Sequence, residues 1–299
     1  MKSKELKSVF MLLLTAAIWG FAFVAQRVGM DHVGAFTFNG IRFALGSISL
    51  LPVIYFLNKK SGKEKSEEEP DADLKTTLKA GIIAGSILFI AASLQQIGLI
   101  YTTAGKAGFI TSLYIVLVPI LGIFLKQKTH LTTWIGALTA VVGLYFLSIN
   151  ENLTIEFGDF LEIVGAFFWA IHIQVIGKFV KNVDAIKLSS AQFATCAILS
   201  LITAFMYEDI NTAGILNALV PLLYGGIMSA GVAYTLQAVG QKYAKPSHAA
   251  IALSMEAVFA AIGGIILLDE TLPLRGYLGC ALMLVGMLIA QTENINSNS

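Results

Sequence analysis

Charge is what this sequence has least of. Only 13% of its residues are charged, against roughly 25% in an ordinary soluble domain. The basic residues are scattered between apolar runs and form no stripe, so nothing points to a nucleic-acid partner. Cysteine is nearly absent: Cys196 and Cys280 are the two. Both lie inside apolar stretches without ligand spacing, which speaks against a disulfide framework or a zinc site and for packing roles. No phosphate-binding loop occurs, because Gly105 and Lys106 lack the earlier glycine and the following Ser or Thr that such a loop needs. Nor is there a His-Glu-x-x-His run, a nucleophile elbow or a cluster of metal ligands. The expectation is a protein that is not an enzyme and takes no cofactor or metal.

Hydrophobicity is what the chain has in abundance. Of 299 residues 56% are hydrophobic, and the mean hydropathy is +0.76. Ten apolar runs can be traced, over 9–27, 36–57, 78–100, 104–125, 131–149, 160–180, 188–207, 216–240, 247–268 and 272–291. Each is long enough to cross about 30 Å of hydrocarbon as a helix. The runs are continuously apolar and lack the alternation of barrel strands, so helices are expected. The first run follows Lys2, Lys4 and Lys7 and continues through Trp19, Gly20 and Phe23, so it reads as a span and not as a cleaved leader.

The ends of the runs differ sharply in charge. Sixteen lysines fall on the side of the N-terminus, Arg27, Lys106 and Arg275 on the other, and Arg42 inside a run. Positive residues accumulate on the cytoplasmic side of a membrane. Both termini are therefore expected in the cytoplasm of a cell whose plasma membrane the chain crosses several times. The longest connection, from Asn58 to Thr77, is dense in both charges and reads as a solvated loop.

One stretch occurs twice. Leu94, Gln95, Gly98, Tyr101, Ala107, Ser112, Val116 and Gly122 recur, 142 positions on, as Leu236, Gln237, Gly240, Tyr243, Ala249, Ser254, Val258 and Gly264. Trp19 and Gly20 similarly match Trp169 and Ala170, and Phe43 matches Phe193. An internal repeat of this kind decides the fold. Two halves, 1–150 and 151–299, each hold five runs, an odd number, so the second enters the membrane from the opposite side. The expected fold is an all-α integral membrane protein of ten transmembrane helices built as two inverted five-helix repeats, an architecture whose site lies between the repeats near the midplane.

The opening WGFAFV, the pair Arg42-Phe43, the run AGKAGFITSLYIVLVPILG and the later WIGALTAVVGLYFLS together resemble the EamA-type members of the drug/metabolite transporter superfamily. The resemblance covers nearly the whole chain. It implies a ten-helix carrier in which the first four helices of each half surround a central cavity and the fifth stands outside, moving amino acids, other metabolites or drugs, often outward and without hydrolysing ATP.

Polar groups in hydrocarbon are expensive and usually face a cavity or a bundle interior. Arg42 and Asn39 share a helix face, with Gln95, Gln96 and Lys106 at similar depth. Arg42 either holds a substrate anion or gate, or binds helix-end carbonyls and snorkels outward. Glu256 reads as the one acid inside a run, near the midplane, and His172 reaches a similar depth. Either is a candidate for proton coupling, the alternative being a neutral or paired structural group. Gln95 and Gln237 form a symmetric amide pair that lines the pathway or ties helices together. Trp19, Trp169, Tyr114 and Tyr234 are candidate aromatic walls, or packing residues. Pro119 is expected to interrupt the fourth run. The fifth and tenth runs carry Gly136, Gly143, Gly279 and Gly286 but almost no strong polar group, so they read as peripheral packing or homodimer helices.

The leading expectation is a secondary transporter that exports a small amphipathic metabolite such as an amino acid by alternating access, with proton coupling through Glu256 as a further step. Its partners are a small-molecule substrate and the lipid bilayer. The rivals are a lipid-moving member of the same superfamily and a non-transporting membrane scaffold or sensor.

Overall fold

The computed structural model describes residues 2–61, 73–102, 104–148, 156–268 and 274–296. Most of the charged connection after Asn58 and of the link between the halves lies outside the described residues. Those that are described form helices and their turns, with no strand among them. Eight helical stretches are long and apolar enough to cross a membrane, by length and composition. Two shorter apolar helices, spanning Leu131–Phe146 and Leu274–Ala290, account for the fifth and tenth runs. The sides of the bundle are apolar where they are exposed, with Ile82, Ile198, Ile202, Phe205, Ile266 and Leu288 facing outward. Patches of this extent mark contact with something other than water.

Helix α1 (Lys2–Gly29) packs on α2 (Ala35–Ser61) and α3 (Leu74–Tyr101) only lightly. Its main neighbours come from the far half of the chain. Asp73 caps α3 by accepting a hydrogen bond from the Thr76 amide at 2.9 Å, and its bonds with Thr76 hold the carboxyl below its ordinary range. The fourth run is two helices, α4 (Ala104–Thr111) and α5 (Tyr114–Phe124), separated at Ser112 and Leu113. Pro119 lies within α5 and does not end it, contrary to expectation. The break is instead a tightened turn, in which Leu113 donates to the Ile110 carbonyl and Ile115 to that of Ser112, each three residues back. Next come α6 (Leu131–Ser148), α7 (Phe157–Phe179) and α8 (Ala185–Tyr207). The short α9 (Thr212–Asn217) and α10 (Leu219–Leu223) lead into a π-helical segment, Tyr224–Tyr234, and then α11 (Thr235–Gln241). The ninth run repeats the break of the fourth: α12 (Pro246–Leu253) and α13 (Glu256–Leu268) are separated at Ser254 and Met255. Helix α14 (Leu274–Asn296) closes the chain.

Helix α1 lies against α13 and the π segment, α2 against α8, and α3 against α7 and α8, so the two halves interleave. Winding with five residues per bond displaces carbonyls from their usual donors. Two of them are met by α1: Thr15 Oγ1 donates to the Ala233 carbonyl at 3.0 Å and Trp19 Nε1 to that of Ser229 at 3.3 Å. At the end opposite the N-terminus the Glu208 carboxylate caps α2 from across the molecule. It accepts from the amides of Phe36 and Thr37 at 2.8 Å and from the Thr37 hydroxyl at 2.7 Å. A carboxylate at a helix N-terminus is favoured by both the free amides and the helix dipole.

Helices α6 and α14 stand to one side and pack on each other. A Cβ placed on Gly136 would meet the Gly286 carbonyl at 2.6 Å, and one on Gly286 would meet the Gly136 carbonyl at the same distance. The small-residue faces noted in the fifth and tenth runs are thus spent within the chain, backbone against backbone. Replacing Gly136 or Gly286 by Leu is expected to lower stability by about 1–3 kcal/mol or more, measured as a lower melting temperature of the purified protein in detergent, whereas Ala at the outward-facing Leu138 is expected to leave it unchanged.

Candidate functional site

The two helix breaks face one another. Helix α5 begins at Tyr114 and α13 at Glu256, positions 142 apart in the sequence, and the Tyr114 hydroxyl donates to Glu256 Oε1 at 2.8 Å. Residues matched by the repeat are therefore bonded to each other in the middle of the bundle. Both are buried.

Beside this pair is a narrow cavity of about 30 Å³. Trp19, Trp169 and Tyr234 wall it, Tyr234 lying with its ring centre 4.5 Å from that of Trp19 and 6.1 Å from that of Trp169. Arg42, Gln237 and Glu256 bring polar groups to it. Arg42 is 2% exposed, and its guanidinium sits 4.6 Å from the Phe43 ring centre and 5.8 Å from that of Phe38. Its Nε has no hydrogen-bond partner, and no ion pair involves Arg42 among the described residues. Neither amide atom of the buried Gln237 has a partner either. Burying such groups without partners is unfavourable. A ligand with a carboxylate for Arg42 and a hydrogen-bonding group for Gln237 would supply what the protein does not.

Gln95 is held differently from its counterpart Gln237. It accepts from Trp169 Nε1 at 2.9 Å and donates to Gln26 Oε1 at 3.2 Å, while Gln96 Nε2 donates to the Gln26 carbonyl at 3.3 Å. Of the residues singled out in the sequence, the cavity brings together Trp19, Arg42, Gln95, Tyr114, Trp169, Tyr234, Gln237 and Glu256. It does not include Asn39, Gln96 or His172. Asn39 Nδ2 donates to the Ala92 carbonyl at 3.1 Å. His172 lies behind the aromatic wall, its Nε2 2.9 Å from Gln192 Oε1 and its ring edge-on to Trp169 and Tyr234.

Five lining groups, Phe23, Gln26, Thr111, Ile173 and Ser229, escaped the sequence. Gln26 sits next to Arg27 at the end of a run. Thr111 and Phe23 carry no signal at all, and Ser229 belongs to the π segment, whose winding no pattern announces. Glu256 is also not the one acid in an apolar helix: Asp159 and Glu162 are buried in the first turns of α7. Helix α7 begins at Phe157, and Glu162 is covered because α3 presents Gly98 to it.

A second, wider basin of about 1090 Å³ opens at the end of the bundle that carries the N-terminus. Lys128, Lys178, Lys181, Lys242 and Lys245 line it, together with His130 and His248 but no acid. Ile173 belongs to the cavity and the adjacent Gln174 to the basin, so a single turn of α7 borders both. Gln174 closes that turn, accepting from Gln127 Nε2 at 2.7 Å and donating to the Val118 carbonyl at 2.8 Å.

A central polar cavity between broken helices is a carrier's geometry, and family comparison agrees. The model of the EamA-like transporter family matches this sequence twice, over residues 6–149 and 156–292. The chain belongs to the EamA-like transporter family. Among relatives of this EamA-like transporter, an uncharacterized transporter of Archaeoglobus fulgidus is 33% identical over 291 residues, covering 96% of this chain and 86% of the relative. The uncharacterized transporter YoaV of Bacillus subtilis is 24% identical over 286 residues, 93% of this chain and 94% of its own. A solved crystal structure superposes with a TM-score of 0.76 at 15% identity, over 98% of this chain and 99% of the other. That likeness is one of fold.

The Trp169–Gln95 bond joins the halves inside this cavity. Trp169→Phe is expected to leave the Gln95 oxygen unsatisfied and to cost about 1–3 kcal/mol, and in a denaturation double-mutant cycle with Gln95→Leu the two losses are expected to be less than additive.

Proposed function

We propose that this EamA-like protein is a secondary transporter that exports a small amphipathic metabolite, an amino acid or a related compound, across the cytoplasmic membrane. The observation that carries this reading is the buried Arg42, which shares one aromatic-walled cavity with Glu256 yet forms no ion pair among the described residues. A substrate carboxylate on Arg42, an amine toward Glu256 and an apolar side chain between Trp19, Trp169 and Tyr234 would satisfy all three surfaces at once.

In this reading the chain crosses the membrane ten times, with α6 and α14 as the fifth and tenth spans. At 18 residues α6 reaches about 27 Å. The two five-helix halves are inverted repeats with both termini in the cytoplasm, where the lysine-lined basin is the inner vestibule. It concentrates carboxylate-bearing solutes near the cavity by its field. Glu208, capping α2, then closes the outer side, and export requires that contact to open while the turn around Gln174 stays closed. A homodimer would have to use the outward faces of α6 and α14, since their glycine faces are occupied. Glu256, bonded to Tyr114 at the meeting point of the broken helices, exchanges a proton for substrate as the halves rock.

A ligand that binds the folded state raises its apparent stability. A thermal-shift screen of amino acids and related zwitterions on the purified protein is expected to give at least one stabilising compound, and Arg42→Gln to weaken its binding roughly ten- to hundredfold. A screen without stabilisation, together with liposomes that move none of the panel, would sink the transporter reading. For the best compound, Glu256→Gln is expected to keep counterflow but lose acceleration of export by an outside-acid gradient. A gradient response equal to that of wild type would remove Glu256 from coupling.

A further inference from the structure

Glu162 takes no part in the reading above, yet it is a fully buried carboxyl in an apolar helix. Its Oε2 accepts from Thr111 Oγ1 at 3.0 Å, and its Oε1 has no hydrogen-bond partner. It makes no ion pair among the described residues. Thr111 in turn lines the cavity that holds Glu256. On the other side, one helical turn nearer the end of α7, is the buried Asp159, which accepts from the Thr102 hydroxyl at 2.9 Å.

Packing does not explain this acid, because the repeat supplies its own control. The match of Trp19 with Trp169 places Leu12 at the position equivalent to Glu162, and the match of Gly98 with Gly240 completes the pair. The geometry obeys both: a Cβ on Gly98 would meet Glu162 Oε1 at 2.7 Å, and one on Gly240 would meet Leu12 Cγ at 3.1 Å. The same berth over the same glycine is filled by leucine in one half and by a carboxyl in the other. Leucine suffices to fill it. A carboxyl in that place adds burial without a counter-charge.

We propose that Glu162 is a second proton-binding site of this transporter, exchanging protons with Glu256 by way of the Thr111 hydroxyl and the cavity, and with the far face by way of Asp159. The Thr111 hydroxyl, which already donates to Glu162 Oε2, passes its proton there and takes one from a cavity water that Glu256 has protonated. Three O–H bonds break and three form, so that one proton is transferred in net from Glu256 to Glu162, the water and the hydroxyl are restored, and no bond between heavier atoms changes.

Few other titratable groups face it. Asp159 lies on its own helix, Glu256 is within electrostatic reach from α13, and α5 brings Tyr114. Helix α3 brings Gly98 to Glu162 and Tyr101 to Gly158, and the one charged residue of α4, Lys106, has a side chain outside the described residues. Helices α11 and α12 meet α7 near its other end, at Gly177, with His248 there. The proposal rests on the transport reading for its purpose, but its test needs no transported compound.

The test is infrared titration of the purified protein in nanodiscs, through roughly pH 5 to 9. Wild type is expected to show two titrating protonated-carboxyl bands, from Glu162 and Glu256. Glu162→Leu, the residue of the other half, is expected to remove one band while melting no lower than wild type, and to shift the midpoint of the other. Thr111→Val is expected to shift the frequency of the Glu162 band and Thr111→Ser to restore it. Both bands persisting in Glu162→Leu, or the band at Glu162 failing to titrate, overturns the proposal. So does unfolding of Glu162→Leu with a Thr111→Val spectrum identical to wild type, which would make the acid structural. Failure of the substrate screen leaves these spectra readable, and failure of the spectra leaves the screen unaffected.

Discussion

The hydrogen bond from Tyr114 to Glu256 is the constraint on which the middle of this molecule depends. It forms where two helices break, and both breaks are needed to form it. An unbroken helix presents no end to its neighbour; a tightened turn at Ser112 and another at Ser254 let α5 and α13 begin side by side with their first residues in contact. Each half contributes one partner, so the bond is between the halves and not within either. Any motion of one half against the other must bend about it or release it. The cavity lies beside it for the same reason, since broken helices leave space that intact ones would fill.

Much of the frame is legible in the sequence because hydrophobic length acts over whole helices. All ten apolar runs reappear as helix, two of them as shorter pieces and three as composites. What the sequence could not show is where a helix yields. Pro119 looks like the obvious weak point, yet the chain breaks seven residues earlier at Ser112, where no residue type forbids a helix. A break there is decided by what the freed groups meet, and those partners come from other helices. The π segment is the same case: Thr15 and Trp19 of α1 stabilise its displaced carbonyls, and neither lies near it in the chain.

The site was legible to the extent that polar residues in apolar runs are few. Arg42, Gln95, Gln237 and Glu256 stand out on expense alone, and they do meet at one cavity. Asn39 and His172 stand out equally, and local partners, the Ala92 carbonyl and Gln192, hold them instead. Burial alone cannot separate these two classes in a sequence. Gln26 and Glu162 lie close to the ends of their runs, where a polar residue stands out less. Their depth is set by neighbours, Gly98 above all, which admit a side chain to a place its sequence position does not suggest.

The two halves resemble each other most in their packing and least in their charge, and that division carries the argument about mechanism. Glycines, aromatics and small polar residues recur because both halves must interleave in the same way. The acids do not recur: Glu256 answers Tyr114, and Glu162 answers Leu12. A duplicated scaffold with matching contacts has no packing reason to differ at these two positions, since the other half shows an uncharged residue that fits each. Both exceptions fall in the second half, and both adjoin the cavity, directly or through Thr111. In the proposed carrier, asymmetry of charge on a symmetric frame would give rocking halves a chemical direction, because protonation would change the balance of contacts on one side of the cavity only.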